Sequence, residues 1–221
     1  MNCTAQLKRR LWERFGSIEH PAEWNGRIYG GGKLSQRYWE YFKTLELLEL
    51  SPNSVVVDIG GGSPVTGVGF FASLIATSVR KVFVFDSNIS PEAIAPEGVE
   101  FVTKRATYES MRGFLEEHPE VTHIASVSVF EHIPALEREG IVRAINETFE
   151  GACFVASLEY HAKSVYFEHQ LTATTISTLF EPLTNYYLDK FESSPVWCEN
   201  AYPSDVPLWY PVAVRFLPVD K

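Results

Sequence analysis

The run Val55-Val56-Val57-Asp58-Ile59-Gly60-Gly61-Gly62 decides how this chain folds. Three valines and an isoleucine around a single acid read as a strand buried on both faces, and Pro52-Asn53-Ser54 separates it from what precedes. The glycines behind the strand let a ligand approach the backbone without meeting a Cβ, and they permit positive φ. A helix expected over 65–79 would offer its free N–H groups to an anionic group at the turn. In α/β sheets, ligands sit beyond the carboxyl ends of the strands, where strand order reverses.

Downstream, apolar strands alternate with amphipathic helices. Strands are expected at 81–85, 99–102, 123–129 and 152–158, with helices over 107–117 and 134–149 between them. Such alternation marks an open parallel sheet with helices on both faces. After residue 160 the pattern changes to a helix over 171–182, a strand at 185–188 and a final strand at 211–217. About 20 residues without a helix join those last strands, which favours antiparallel pairing. The fold class is therefore α/β: seven strands, mostly parallel, with an antiparallel last strand.

Upstream, Leu7, Leu11, Trp12 and Phe15 recur at helical spacing among Lys8, Arg9, Arg10 and Arg14. So short a basic amphipathic helix is a weak membrane anchor and reads as a helix lying on its own domain. A second helix spans about 34–50, with Tyr38, Tyr41, Phe42, Leu45 and Leu48 as its apolar stripe. Residues 1–50 read as a helical lid or substrate segment and 51–221 as the ligand-binding domain, the two forming one structural unit.

An apolar share of 45% over 221 residues excludes disorder as the main state and suits one well-filled core. Nineteen basic against 28 acidic side chains give a charge of -9, which argues against nucleic acid as a partner. Cys3, Cys153 and Cys198 are too scattered for a disulfide framework or a zinc site. Their odd number suits a reducing compartment. The charged start gives no signal peptide, and no stretch reaches the length of a membrane span. A cytoplasmic location is expected.

A dinucleotide fingerprint would need a glycine at position 65, where Val65 stands. Asp58-x-Gly60-x-Gly62 is similar instead to motif I of the class I S-adenosylmethionine-dependent methyltransferases. Asp86 at the end of the second strand, the ending Ser126-Val127-Ser128-Val129-Phe130-Glu131-His132-Ile133 of the fourth and the antiparallel last strand extend the resemblance over about 50–219. It implies a Rossmann-like fold with S-adenosylmethionine as cofactor. Asp58 would orient the glycine loop of Gly60, Gly61 and Gly62 and reach the methionine ammonium. Asp86 and Ser87 would meet the ribose, with Ala106 and Ser128 completing the cofactor site; an alignment on Ser90-Pro91-Glu92 would put Asn88 at the ribose instead, and Asp86 is preferred because it directly ends the apolar run. Two departures stand out: Pro64 replaces the third motif glycine, and Lys104-Arg105 replace the Gly-Asp usual before Ala106. Adenine recognition then falls to backbone groups or another side chain.

Methyl transfer requires in-line placement of the acceptor atom and, where needed, removal of its proton. His161 and His132, after strands five and four, are the catalytic candidates, because histidine titrates near neutrality. Glu131 and Glu159 stand beside them. No metal is expected, since the aspartate pair of the metal-dependent catechol-type enzymes is missing. Arg37 is assigned to the methionine carboxylate. Tyr29, Trp197 and Tyr202 are assigned to the substrate, their segments suiting a flat or sugar-like small molecule. The aromatic loop at 192–210 has a second reading as a homodimer contact. The expected activity is methyl transfer to an O or N atom of a small molecule. The rival is an inactive methyltransferase-like domain serving as a partner-binding subunit, with Pro64 and Lys104-Arg105 in its favour.

Overall fold

A computed structural model describes residues 3–15, 33–63, 66–151, 153–161, 171, 173–193 and 209–219. Helices α1 (Cys3–Phe15) and α2 (Lys33–Leu48) precede β1 (Val55–Ile59). A small hairpin, β2 (Gly62–Ser63) and β3 (Gly67–Val68), leads into α3 (Phe70–Ala76), β4 (Lys81–Phe85) and β5 (Val99–Val102). Next come α4 (Tyr108–Glu117), β6 (His123–Val127), α5 (Ala135–Thr148) and β7 (Cys153–His161). The last elements are α6 (Ala173–Leu179), β8 (Tyr186–Ser193) and β9 (Trp209–Pro218).

The seven-stranded sheet has the order β5-β4-β1-β6-β7-β9-β8. Its first five strands pair in parallel, and β9 runs antiparallel to both neighbours, as the sequence suggests. From β1 the chain steps outward to β4 and β5, then crosses back to β6 on the other side. Strand order therefore reverses between β1 and β6, and that crevice is where such a sheet receives a ligand.

Side-chain alternation fills a core layer on each face of the sheet. Val55, Val57 and Ile59 join Phe83, Phe85, Phe130 and Phe154 on the α4–α5–α6 side. Val56, Val82 and Val84 face Leu7, Leu11, Trp39 and Leu45 on the side of α1, α2 and α3. Leu7 and Leu11 are fully buried, so the basic first helix packs on its own domain. Asp58 is two residues after Val56 and so projects into that second layer, at a position the pattern reserves for an apolar side chain.

Two helices differ from expectation. The 65–79 helix begins only at Phe70, because Gly67 takes φ +78° and Gly69 is extended, prolonging the turn into the β2–β3 hairpin. No helix N-terminus thus follows the glycine triplet directly. In α2 the buried positions are Trp39, Glu40, Thr44, Leu45, Leu47 and Leu48, while Tyr41 and Phe42 are only half-buried. Leu45 and Leu48 of the expected stripe are buried and Tyr41 and Phe42 pack against the core, but among the described side chains the buried face also carries Glu40 and Thr44, two polar residues that the stripe left out.

Candidate active site at the glycine turn

The crevice between β1 and β6 opens into a cavity of about 210 Å³, lined by Tyr41, Asp58, Gly60, Gly61, Gly62, Gly69, Phe70, Phe71 and Val127 to Val129. Its floor is built from close approaches. Gly60 has φ +75°, and a Cβ there would fall 2.4 Å from the side chain of Val129. A Cβ on Gly61 would fall 2.2 Å from Asp58 Oδ2. Neither position can carry a side chain unless a neighbour moves.

Asp58 is 1% exposed, and its Oδ2 has no hydrogen-bond partner. Burial, reinforced by the charge of Asp86, pushes its pKa up to about 8. At that value the carboxyl is mostly neutral at pH 7. Asp86 plays a different part. Its Oδ2 accepts the Gly62 N–H at 3.0 Å and its Oδ1 the Asn88 N–H at 2.8 Å, in an Asx turn. Asp86 pins the glycine loop to the end of β4, and each oxygen keeps lone-pair capacity for a further donor. Ser87 is exposed, and half-buried Ala106 leans on the α4–α6 core layer. Neither they nor Asp86 line the cavity.

Ser128, just past β6, adopts φ +53°, a conformation uncommon for a residue other than glycine. Its hydroxyl donates to Glu40 Oε1 at 2.7 Å and lies 3.4 Å from Glu159 Oε1. Glu131 sits in the 3-10 turn Phe130–His132 with 7% exposure. Carboxylate oxygens of Glu40, Glu131 and Glu159 all lie within 4.8 Å of one another. The sequence reading named two of these acids. It missed Glu40, which arrives from α2, more than 80 residues away from Ser128. Tyr41 was also missed as a site residue; it stacks on Phe71 with ring centroids 5.9 Å apart.

His132 is exposed in the turn and does not join the cavity lining. His161 ends β7 opposite Trp209 and Arg37 lies in α2, but both side chains are outside the described residues. Tyr29, Trp197, Tyr202 and Pro64 also lie outside them. Arg105 forms a bidentate pair with Glu137 of α5, at 2.9 and 2.7 Å.

No family model matches the chain, and no curated protein matches it. Solved structures do. The N-methyltransferase NodS from Bradyrhizobium japonicum, in complex with S-adenosyl-L-homocysteine, aligns over 100% of both chains with a TM-score of 0.57 and 14% identity. The fold is that of the class I S-adenosylmethionine-dependent methyltransferases. A methyltransferase from Anabaena variabilis gives a TM-score of 0.56 at 14% identity, over 95% of this chain and 94% of that one. A cyclopropane synthase from Mycobacterium tuberculosis gives 0.52 at 13%, over 71% of this chain, which spans 62% of the synthase. In this methyltransferase fold, the glycine turn, Asp58 and Ser128 stand at the switch point of the sheet. Among the described residues, no helix is long and apolar enough to cross a membrane.

Proposed function

We propose that the protein binds S-adenosylmethionine at the β1–β6 crevice and transfers its methyl group to an O or N atom of a small molecule. One observation carries the reading: a fully buried carboxyl, Asp58, turns an unpartnered oxygen to a cavity floored by glycines whose replacement would displace Val129 or Asp58 itself. The methionine ammonium is the cation that oxygen lacks. A cavity of about 210 Å³ is smaller than a usual small-molecule site, so it takes the amino-acid end of the ligand. The nucleoside extends toward Asp86, whose carboxylate meets the ribose hydroxyls while still holding Gly62.

When bound, the cofactor supplies an electrophilic methyl on a positively charged sulfur. The chain's task is to place it. Asp58 holds the ammonium, the glycine loop admits the backbone contacts, and Ser128 fixes the end of β6 where the acceptor approaches. Glu159, half-buried at the end of β7, is within reach of Ser128 and can take a proton from an acceptor. His161, Tyr29, Trp197 and Tyr202 remain assigned to the acceptor side.

Calorimetric titration with S-adenosylhomocysteine, with NADH as control, tests the reading. Micromolar binding of the first alone supports it. No binding of either ligand would leave the partner-binding domain as the better account.

A further inference from the structure

Glu40, Glu131 and Glu159 form a second feature, separate from the Asp58 cavity and joined to it through Ser128. Three oxygens within 4.8 Å of one another can share a centre no more than about 2.8 Å from each, slightly beyond the 2.3–2.6 Å of calcium–oxygen bonds. A small contraction would bring all three into a coordination shell. Glu40 and Glu131 are buried, and buried carboxylates are costly unless a cation compensates them. The neighbouring cation, Arg138, is itself buried and interacts with Glu131. Carboxylate oxygens are the ligands that hard divalent cations prefer.

An independent observation lies beneath the carboxylates. Thr44 Oγ1 and Ser157 Oγ are fully buried, and neither has a hydrogen-bond partner. Thr44 follows Glu40 by one turn of α2, and Ser157 precedes Glu159 by two residues on β7, so each shares its neighbour's face. Helix α2 runs antiparallel over β7: Ser128 ties Glu40 to Glu159 at one end, while Cys153 Sγ meets Leu47 O at 3.8 Å at the other. Both hydroxyls therefore face the layer between α2 and β7, one helical turn and two strand residues from the acids along the backbone. Hard divalent cations keep several waters, which are the partners the two hydroxyls lack.

We propose that Glu40, Glu131 and Glu159 bind one hard divalent cation, with Thr44 and Ser157 hydrogen-bonded to its waters. The ion sits beside Ser128, on the acceptor side of the cavity. Resting on the methyl-transfer reading, its role there is to hold an acceptor oxygen and ease loss of its proton.

The test uses the full chain stripped of metal by chelation. Mn2+ is titrated in by electron paramagnetic resonance, and Mg2+ and Ca2+ are added as competitors. One bound Mn2+ per chain, displaced by Mg2+ or Ca2+, is the expected result. Glu159→Gln and Glu40→Gln should each weaken it by at least about tenfold, and Ser157→Ala by less. Glu100→Gln, on the far edge of the sheet, should leave it unchanged. Circular dichroism checks that the variants fold, and half-buried Glu159→Gln carries the test if Glu40→Gln does not. Absence of bound Mn2+ at millimolar concentration overturns the proposal, as does binding that survives both substitutions. A melting shift with methylammonium but none with Mn2+ also overturns it, marking an organic ammonium site instead. Titration of the same samples with S-adenosylhomocysteine separates failure of this site from failure of the cofactor reading.

Discussion

The Asp58 carboxyl lies against the α-carbon of Gly61, so closely that a single added methyl group would fall 2.2 Å from Oδ2. The acid and the glycine form one device, since Asp58 can occupy its place only while position 61 has no side chain. Gly61→Ala should push the carboxyl off its axis and weaken S-adenosylhomocysteine binding by at least about tenfold, comparable to losing a charged hydrogen bond. Calorimetry reads the loss. Gly113→Ala is the matched control: it lies in α4 with nothing within 4 Å of its added Cβ. It should stabilise the fold by about 0.4–1 kcal/mol and leave binding alone.

Asp58 also sets a pH dependence. Its pKa stands at about 8 in the folded chain and at 3.8 as an ordinary carboxyl. Below about pH 4 folded and unfolded chains both hold the proton; between about 4 and 8 only the folded chain does. Unfolding then releases a proton, so stability falls as pH rises through that window, and the penalty is complete above about pH 8. Asp58→Asn removes this slope. Its melting temperature should exceed that of the parent by a margin that widens from pH 5 to pH 8.

Ligand binding should draw off the same proton. Pairing with an ammonium requires the ionised carboxylate, so S-adenosylhomocysteine should release close to one proton at pH 6.5 from the parent protein and none from Asp58→Asn. Calorimetry in two buffers of different ionisation enthalpy measures this. Tight binding without proton release would remove Asp58 from the ammonium.

The seven strands of the main sheet were legible because each contains a short β-branched or apolar run bounded by turn residues, while their register is seen only in the structure. Asp58 and the glycines were legible for the same reason, being a polar interruption at a fixed place in such a run. The α3 boundary was not, because Gly67-Val68-Gly69 favours a hairpin that a helical period cannot signal. Glu40 was hidden more deeply. An acid beside Trp39 reads as the solvent side of an amphipathic helix, and its burial is visible only once Ser128 and Glu159 are seen beneath it. Periodicity assigns polar residues outward, so a polar cluster inside the fold is the feature it is least able to find.

Asp86 holds the loop through two backbone N–H groups, which gives its substitutions a graded outcome. Asp86→Asn keeps one carbonyl acceptor and should weaken S-adenosylhomocysteine binding moderately. Asp86→Ala releases both donors and the proposed ribose contact together, and should cost roughly 2–4 kcal/mol of binding from these charged hydrogen bonds. Equal affinities for the parent and the alanine variant would reduce Asp86 to a turn former.

Arg105 supplies the opposite expectation. The resemblance of motif I would place an adenine-binding acid at its position, and its charge is taken up by Glu137 in an exposed bidentate pair, with Arg105 64% and Glu137 30% exposed. Exposed pairs contribute about 0–1 kcal/mol, so Arg105→Ala should lower stability by no more than that in a urea titration. Cofactor affinity should not change, because nothing in this pair faces the cavity. A tenfold loss of S-adenosylhomocysteine binding in Arg105→Ala would mean that the guanidinium leaves Glu137 for the nucleoside. Adenine recognition would then run through a cation at this position, where the family uses an acid.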